Sequence, residues 1–572
     1  MIIFVVSLLV HNLVNSLLVY FSLSIILILS NVKILYREIK EIGINKSLLF
    51  NSALFLFVFY LFNRSFSYDS IRNTFLIHSN LYLDFGAHIP FIRFFSVGQN
   101  FYPEVPFYAG GRLFYHFMFD FYASILEFIG LRIDYAFNLI SALSFFFLLN
   151  IIFNFTTHLF KNKIVGFLAC LFFIFNSDLS FIQIFKKYGI SLSKITYYYH
   201  HNIYPQGDLL GLAITGNFLN INAYLNQRHL IFALLWFFYI FFALLFFKKK
   251  ELDIRKSVLL AVMIGIFPFW HLQALISIYV VLLALGVLFK NLRKEIVCMM
   301  LISFPLVLPQ LFLIKISSLN QVIFSPGFMV SRELSIKNFL FFWIWNLGLT
   351  IPISILGFLK SNTLQKKIFL AFFVLFIFAN TFIFTRDIFD NHKFFNIWII
   401  IVNMFAAWGI INIFKKNVLF KGTALLAIIL MILSGFFHFL VVKNDVYAKV
   451  PDYPLSKLMK WVKSNIPGDE IFFTNGDIYD PASVMGRRTF LGRSHYVFLY
   501  GGDPGKRIKE RSIILEGKDE NAIRKILTSY RIKYIVIYKK TFIINRQTAS
   551  IDFLKAHFKK LYEDNQGTIF KI

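Results

Sequence analysis

The chain has 572 residues, 58% of them hydrophobic, 19% aromatic and 15% charged, where ordinary soluble proteins carry about 25% charged residues. This composition excludes disorder and a water-facing globule, because 76 phenylalanines bring more apolar surface than polar groups could cover. The net charge of +28 does not mark a nucleic-acid binder, since most lysines and arginines punctuate apolar runs instead of sharing one face.

The pattern predicts an all-α polytopic membrane protein followed by a small α/β domain. A span needs roughly 17 to 25 apolar residues, and about thirteen such runs occur before residue 443. The first, 3–30, has no basic residue ahead of it, while Lys33, Arg37, Lys40 and Lys46 follow; it reads as a retained span with its N-terminus outside. Cys170 and Cys298 both lie inside apolar runs, which excludes a disulfide framework and a paired-cysteine metal site. By the positive-inside rule, the loops carrying Lys248–Lys250, Arg255 and Lys256, then Lys290, Arg293 and Lys294, then Lys360, Lys366 and Lys367, then Lys415, Lys416 and Lys421 face the cytoplasm. Residues 257–289 would make a helix of about 50 Å, too long for one crossing, and both flanks are basic. They are expected to cross twice and turn near Pro268, Trp270 and His271. A second break is expected where the short run 164–176 turns near Asn176, Ser177 and Asp178, because irregular backbone at membrane depth belongs where protein buries it or a wet cavity receives it.

Three stretches are not spans and fall on the outer side: 63–110, 185–228 and everything after 442. The sequence thus divides into a membrane domain, 1–442, and an extracytoplasmic α/β domain, 443–572. Within the latter, 454–466 and 519–530 read as helices, and 470–474 and 531–538 as strands.

Candidate chemistry concentrates on the outer side. Asp84 and His88 are four residues apart, so on a helix they share a face where a carboxylate can orient an imidazole or act as a general base. His116 and Asp120 repeat the spacing, and the turn residues Pro103, Pro106 and Ala109–Gly111 between the pairs could fold them together. Arg228 and His229 sit at the outer mouth of a span, where a guanidinium can hold a phosphate; a snorkelling arginine is the alternative. His200 and His201, in a tyrosine-rich loop, read as interfacial more readily than as metal ligands. His271 lies at the predicted outer turn. Arg386, Asp387, Asp390 and Lys393 crowd another outer connection, which could equally be a solvated ion-paired loop. No Gly-rich phosphate loop, HExxH or GxSxG motif occurs, so cytoplasmic nucleotide chemistry has no support. An outward set of carboxylates, imidazoles and cations at a membrane surface suits a substrate with a lipid tail and a phosphate.

In ordering and spacing the chain resembles the GT-C superfamily of integral-membrane glycosyltransferases, which use polyprenyl-phosphate-linked sugars and include protein mannosyltransferases, aminoarabinose transferases and oligosaccharyltransferases. The phrases YAGGRLFYHFMFDFYASILEFIGL (108–131), LNQRHL (225–230), GIFPFWHLQ (265–273) and DNHKFFNIW (390–398) look like a prokaryotic branch of that superfamily. The resemblance implies a plasma-membrane enzyme whose catalytic residues are Asp84, as base, and His88, with His116, Asp120, Arg228, His229, His271, Asp390 and Lys393 around the substrate. The partners it implies are a polyprenyl-phosphate-linked sugar and membrane lipids. Many members carry a second acidic residue near the first, whereas Phe85 and Gly86 follow Asp84 here; a divalent metal is left open and no other cofactor is implied. A lipid or solute transporter and a non-catalytic GT-C-fold scaffold of envelope assembly share these features. No inverted repeat favours the transporter, and turnover separates the three.

Overall fold

The computed structural model describes residues 1–32, 46–101, 104–111, 115–203, 216–247, 254–314, 322–330, 333–384, 388–500, 502–539 and 546–572. Lys33, Arg37, Lys40, Pro103, Lys248–Lys250, Arg386 and Asp387 lie outside the described residues. The chain is a polytopic α-helical membrane protein with a C-terminal α/β domain. Among the described residues seven helices are long and apolar enough to cross a membrane: Leu13–Ser30, Ile133–Phe160, Arg228–Phe246, Lys290–Leu313, Thr363–Thr381, His392–Phe414 and Val418–Asn444. An eighth crossing is available if Ile336–Leu347 and Thr350–Leu359, bent by 95°, act as one span. Shorter apolar helices are Leu49–Ser65, Lys163–Ile174 and Leu272–Leu288.

Local breaks explain why full-length helices are fewer than apolar runs. The run 3–30 is two helices, Ile2–Val10 and Leu13–Ser30, because His11 adopts φ 50° and the Asn12 side chain accepts from the Asn15 amide at 3.1 Å, restarting the helix. The 254–288 run breaks at the 3₁₀ turn Phe267–Phe269, which contains Pro268 and after which His271 caps the next helix. Lys163–Ile174 ends before Asn176–Asp178. That break is filled by protein: Ser434 Oγ donates to the Asp178 carbonyl at 3.0 Å, and the Ser434 amide donates to Ser177 Oγ at 3.0 Å. The apolar pattern of 336–359 carries no sign of the 95° bend; Gly348 supplies it with φ 52° and ψ −133°, a conformation closed to residues bearing a Cβ.

The fold divides into two compact units, one holding Met1–Ile140, Leu313–Lys315 and Tyr447–Ile572, the other Ser141–Phe312 and Ile316–Val446. In the first, strands Phe66–Asp69 and Thr74–His78 form a hairpin to which Tyr447–Pro451 adds antiparallel, pairing His78 with Tyr447 and Thr74 with Pro451. The Asp69 carboxylate accepts from the Ile71 and Arg72 amides, both at 3.0 Å, and sets the turn. A five-stranded sheet follows in the order Arg488–Thr489, Ile471–Thr474, Ile532–Tyr538, Gly567–Lys571, Lys559–Glu563, parallel over the first three strands and antiparallel thereafter. Helix Lys457–Asn465 packs Leu458, Met459 and Val462 on Phe472, Val536 and Ile569. The predicted helices and strands of this domain therefore stand, with ends moved by a few residues.

The segment after residue 63 is built into that domain. Its helix Tyr82–Ser96 carries Arg93, 6% exposed, whose Nη2 donates to Asp452 Oδ2 at 3.0 Å and whose Nε lies 2.9 Å from Glu127 Oε1, although that N–H is not aimed at the oxygen. Tyr68 also donates to Asp452 Oδ2, at 3.0 Å, and Ser96 donates to Glu127. Burial pushes the Glu127 carboxyl up while Arg93 pulls it back. Further along, the Thr489 amide donates to the Pro106 carbonyl, Ala109 to Thr489 and Gly492 to Phe107, each at 2.9 Å, and Glu104 is paired with Arg488. Removing one member of a buried ion pair strands its partners' charge. Arg93→Met should therefore destabilise the protein by about 3–5 kcal/mol, read from denaturation midpoints of the purified protein in detergent; a change within experimental error would show that the triad holds nothing in place.

Candidate functional site

Asp84 lies in the first turn of Tyr82–Ser96 and is exposed, whereas His88, one turn on, is buried. Two tyrosines of the C-terminal domain fix the backbone just before Asp84: Tyr479 donates to the Tyr82 carbonyl at 2.6 Å, and Tyr496 donates to the Leu83 carbonyl. Burial pushes both phenols above the ordinary tyrosine range, so they stay protonated donors. This approach is allowed by Gly86, where a Cβ would fall 2.6 Å from Tyr496 Oη and 2.7 Å from Ile478 Cγ1. Asp84 thus stands on a turn clamped from the domain side and open to solvent.

The structure joins His88 to Asp120: His88 Nδ1 lies 2.9 Å from Asp120 Oδ1 and 3.2 Å from Oδ2. Asp120 lies in the first turn of the helix Met118–Phe128 and is 4% exposed; burial pushes its carboxyl up, and the imidazole opposes that shift. Phe137 closes over the His88 ring at 5.4 Å. His116 is buried beside Tyr115, the two rings stacked at 3.8 Å. No second acidic residue stands beside Asp84, which Phe85 and Gly86 follow, and both Asp120 oxygens face His88.

The second unit gathers another set. Arg228 is fully buried at the start of Arg228–Phe246, and its Nε donates to the Leu225 carbonyl at 3.3 Å. The His229 ring stacks on His271 at 5.5 Å, and His271 Nδ1 accepts from the Ala274 amide at 3.2 Å. Buried Lys393 donates to Asp390 Oδ1 at 3.1 Å. Lys393 and His392 lie within electrostatic reach of His271. His392, not singled out in sequence, is 1% exposed, stacks on Phe218 and sits 2.7 Å from Asn396 Oδ1; its place in DNHKFFNIW beside Lys393 was the available signal. Residues 200 and 201 lie exposed at the end of the helix Leu192–His200.

No protein-family model matches the sequence, and no curated protein matches it. Among solved structures, the chain is similar to the oligosaccharyltransferase of Archaeoglobus fulgidus in its apo form, with TM-score 0.49 and 12% identity over 86% of this chain and 70% of that one. It is also similar to ArnT of Cupriavidus metallidurans bound to undecaprenyl phosphate, with TM-score 0.47 and 9% identity over 92% of this chain and 98% of that one. A further similar structure is the archaeal oligosaccharyltransferase AglB of Archaeoglobus fulgidus, in complex with an inhibitory peptide and a dolichol-phosphate; its TM-score is 0.45 and its identity 12%, over 86% and 70% of the two chains.

An imidazole and a carboxylate buried together are worth more as a pair than apart, because removing one leaves the other desolvated. Asp120→Leu should cost about 1–3 kcal/mol, and adding His88→Leu should restore part of the loss. Strict additivity in denaturation measurements on the three variants would show that the pair is not coupled.

Proposed function

We propose that this protein is a membrane glycosyltransferase that moves a sugar from a polyprenyl-phosphate carrier to an acceptor on the outer side of the plasma membrane, where the C-terminal domain also lies. The observation that carries the proposal is the exposed Asp84 carboxylate on a backbone turn held by Tyr479 and Tyr496, one helical turn from the buried His88–Asp120 pair. General-base chemistry needs a carboxylate that is accessible and fixed, and fixation removes the entropy of finding the reactive geometry. The GT-C resemblance of the sequence supplies the lipid-linked donor, and the apolar helices supply the membrane in which its tail would lie.

In this mechanism Asp84 accepts the proton of an acceptor hydroxyl or amine as that atom attacks the sugar C1. The C1–O bond to phosphate breaks, the electron pair leaves with the polyprenyl phosphate, and the configuration at C1 inverts. Arg228, His271 and Lys393 are proposed to meet the phosphate charge, a guanidinium, an imidazole and an ammonium being suited to a leaving dianion. His116, His229 and Asp390 are assigned to the sugar and carrier, and His88 with Asp120 positions the Asp84 helix.

The test is transfer or hydrolysis of radiolabelled sugar from synthetic polyprenyl-phosphate donors by purified protein in detergent. Asp84→Asn is expected to lower turnover by about 10²- to 10⁴-fold while donor binding stays unchanged. Full turnover in the variant would remove Asp84 as the base. Silence of wild type and variant alike, with the lipid still bound, would favour scaffolding or transport.

A further inference from the structure

The C-terminal domain encloses a polar cavity of about 400 Å³ lined by Asp477, Leu491, Gly492, Ser494, Ile508, Arg511, Arg546 and Gln547, within the range that holds small ligands. Its charges do not cancel. Arg511 is 4% exposed, and two of its nitrogens donate to the Gly476 and Gly492 carbonyls, which are neutral acceptors. Neither Arg511 Nε nor Arg546 Nε has a hydrogen-bond partner among the described residues, and both atoms are buried. Of the carboxylates nearby, Asp477 is met by Arg493 at 3.8 Å. Asp480 receives the Thr474 hydroxyl, the Tyr538 hydroxyl at 3.0 Å and the Ala482 and Ser483 amides, and burial pushes its carboxyl up toward the neutral form. Burial likewise pushes the Arg511 guanidinium down, with Asp480 and Asp477 opposing that shift only in part.

A largely buried guanidinium whose charge no carboxylate meets is expensive, so such a pair of arginines at a cavity wall fits a ligand that brings the missing negative charge. The other wall groups are a carboxylate, a hydroxyl and a side-chain amide, which suit sugar hydroxyls. We propose that this cavity binds an anionic monosaccharide unit, its phosphate or carboxylate held by Arg511 and Arg546 and its hydroxyls by Asp477, Ser494 and Gln547. The assignment concerns the C-terminal domain alone and stands whether or not Asp84 catalyses transfer.

The experiment is equilibrium binding of labelled glucose 6-phosphate, glucuronate and glucose to the full-length protein in detergent at constant ionic strength. Saturable binding of one or both anionic sugars, at least tenfold tighter than glucose, is expected; preference between the two identifies phosphate or carboxylate as the recognised group. Arg511 supports two backbone carbonyls, so its replacement would test folding as much as binding. Arg546→Gln and Gln547→Glu are used instead, the second placing a negative charge on an exposed wall residue. Each should weaken binding at least tenfold with an unchanged melting temperature. Binding of neither anionic sugar, or binding that both replacements leave within threefold of wild type, overturns the proposal.

Discussion

A single buried guanidinium organises the first unit. Arg93 faces Glu127 on one side and Asp452 on the other, and the second contact closes a separation of 359 residues. A charge in that setting is tolerable only with its partners in place. The helix bearing Arg93 is therefore tied at once to the helix Met118–Phe128 and to the start of the C-terminal domain. The three-stranded sheet that joins Thr74–His78 to Tyr447–Pro451 runs alongside and satisfies backbone groups that a free loop would leave to water.

That anchoring gives the two carboxylates of the candidate site different surroundings within one architecture. Asp120 is drawn inward, pushed up by burial and held by His88. Asp84 remains exposed, yet its turn is pinned by two tyrosine hydroxyls whose burial keeps them protonated. Environment, not residue type, separates a buried, paired carboxylate from an exposed one. Gly86 is the steric condition for this: any side chain there would occupy the space of Tyr496 and Ile478.

In the second unit the candidate phosphate-binding groups come from helix beginnings. Arg228 starts one helix, His271 caps another, and Lys393 lies in the first turn of a third. Placing these cationic and imidazole side chains at helix ends keeps them out of the apolar midsections, where an ionisable group is most expensive. At the break after Lys163–Ile174, Ser434 Oγ takes up the Asp178 carbonyl and the Phe181 amide that the interrupted helix leaves free.

The periodicity and composition of the chain determined its helical, membrane-spanning class, the breaks near Pro268 and Asn176, and the strands and helices of the α/β domain. These depend on local properties: apolar run length, proline, capping residues and alternation. The spacing also marked Asp84, His88, His116 and Asp120 as a group, but a four-residue period could pair each aspartate only with its own histidine. The His88–Asp120 contact, the Arg93 triad, the sheet built from residues 66–78 and 447–451 and the 95° bend at Gly348 were decided by the tertiary structure. Each depends on the packing of segments that lie far apart in the chain or, for Gly348, on a positive-φ backbone that glycine permits but does not require. Arg93 illustrates the limit, since in sequence it is one basic residue in an aromatic helix, and only the tertiary structure buries it against Glu127 and Asp452.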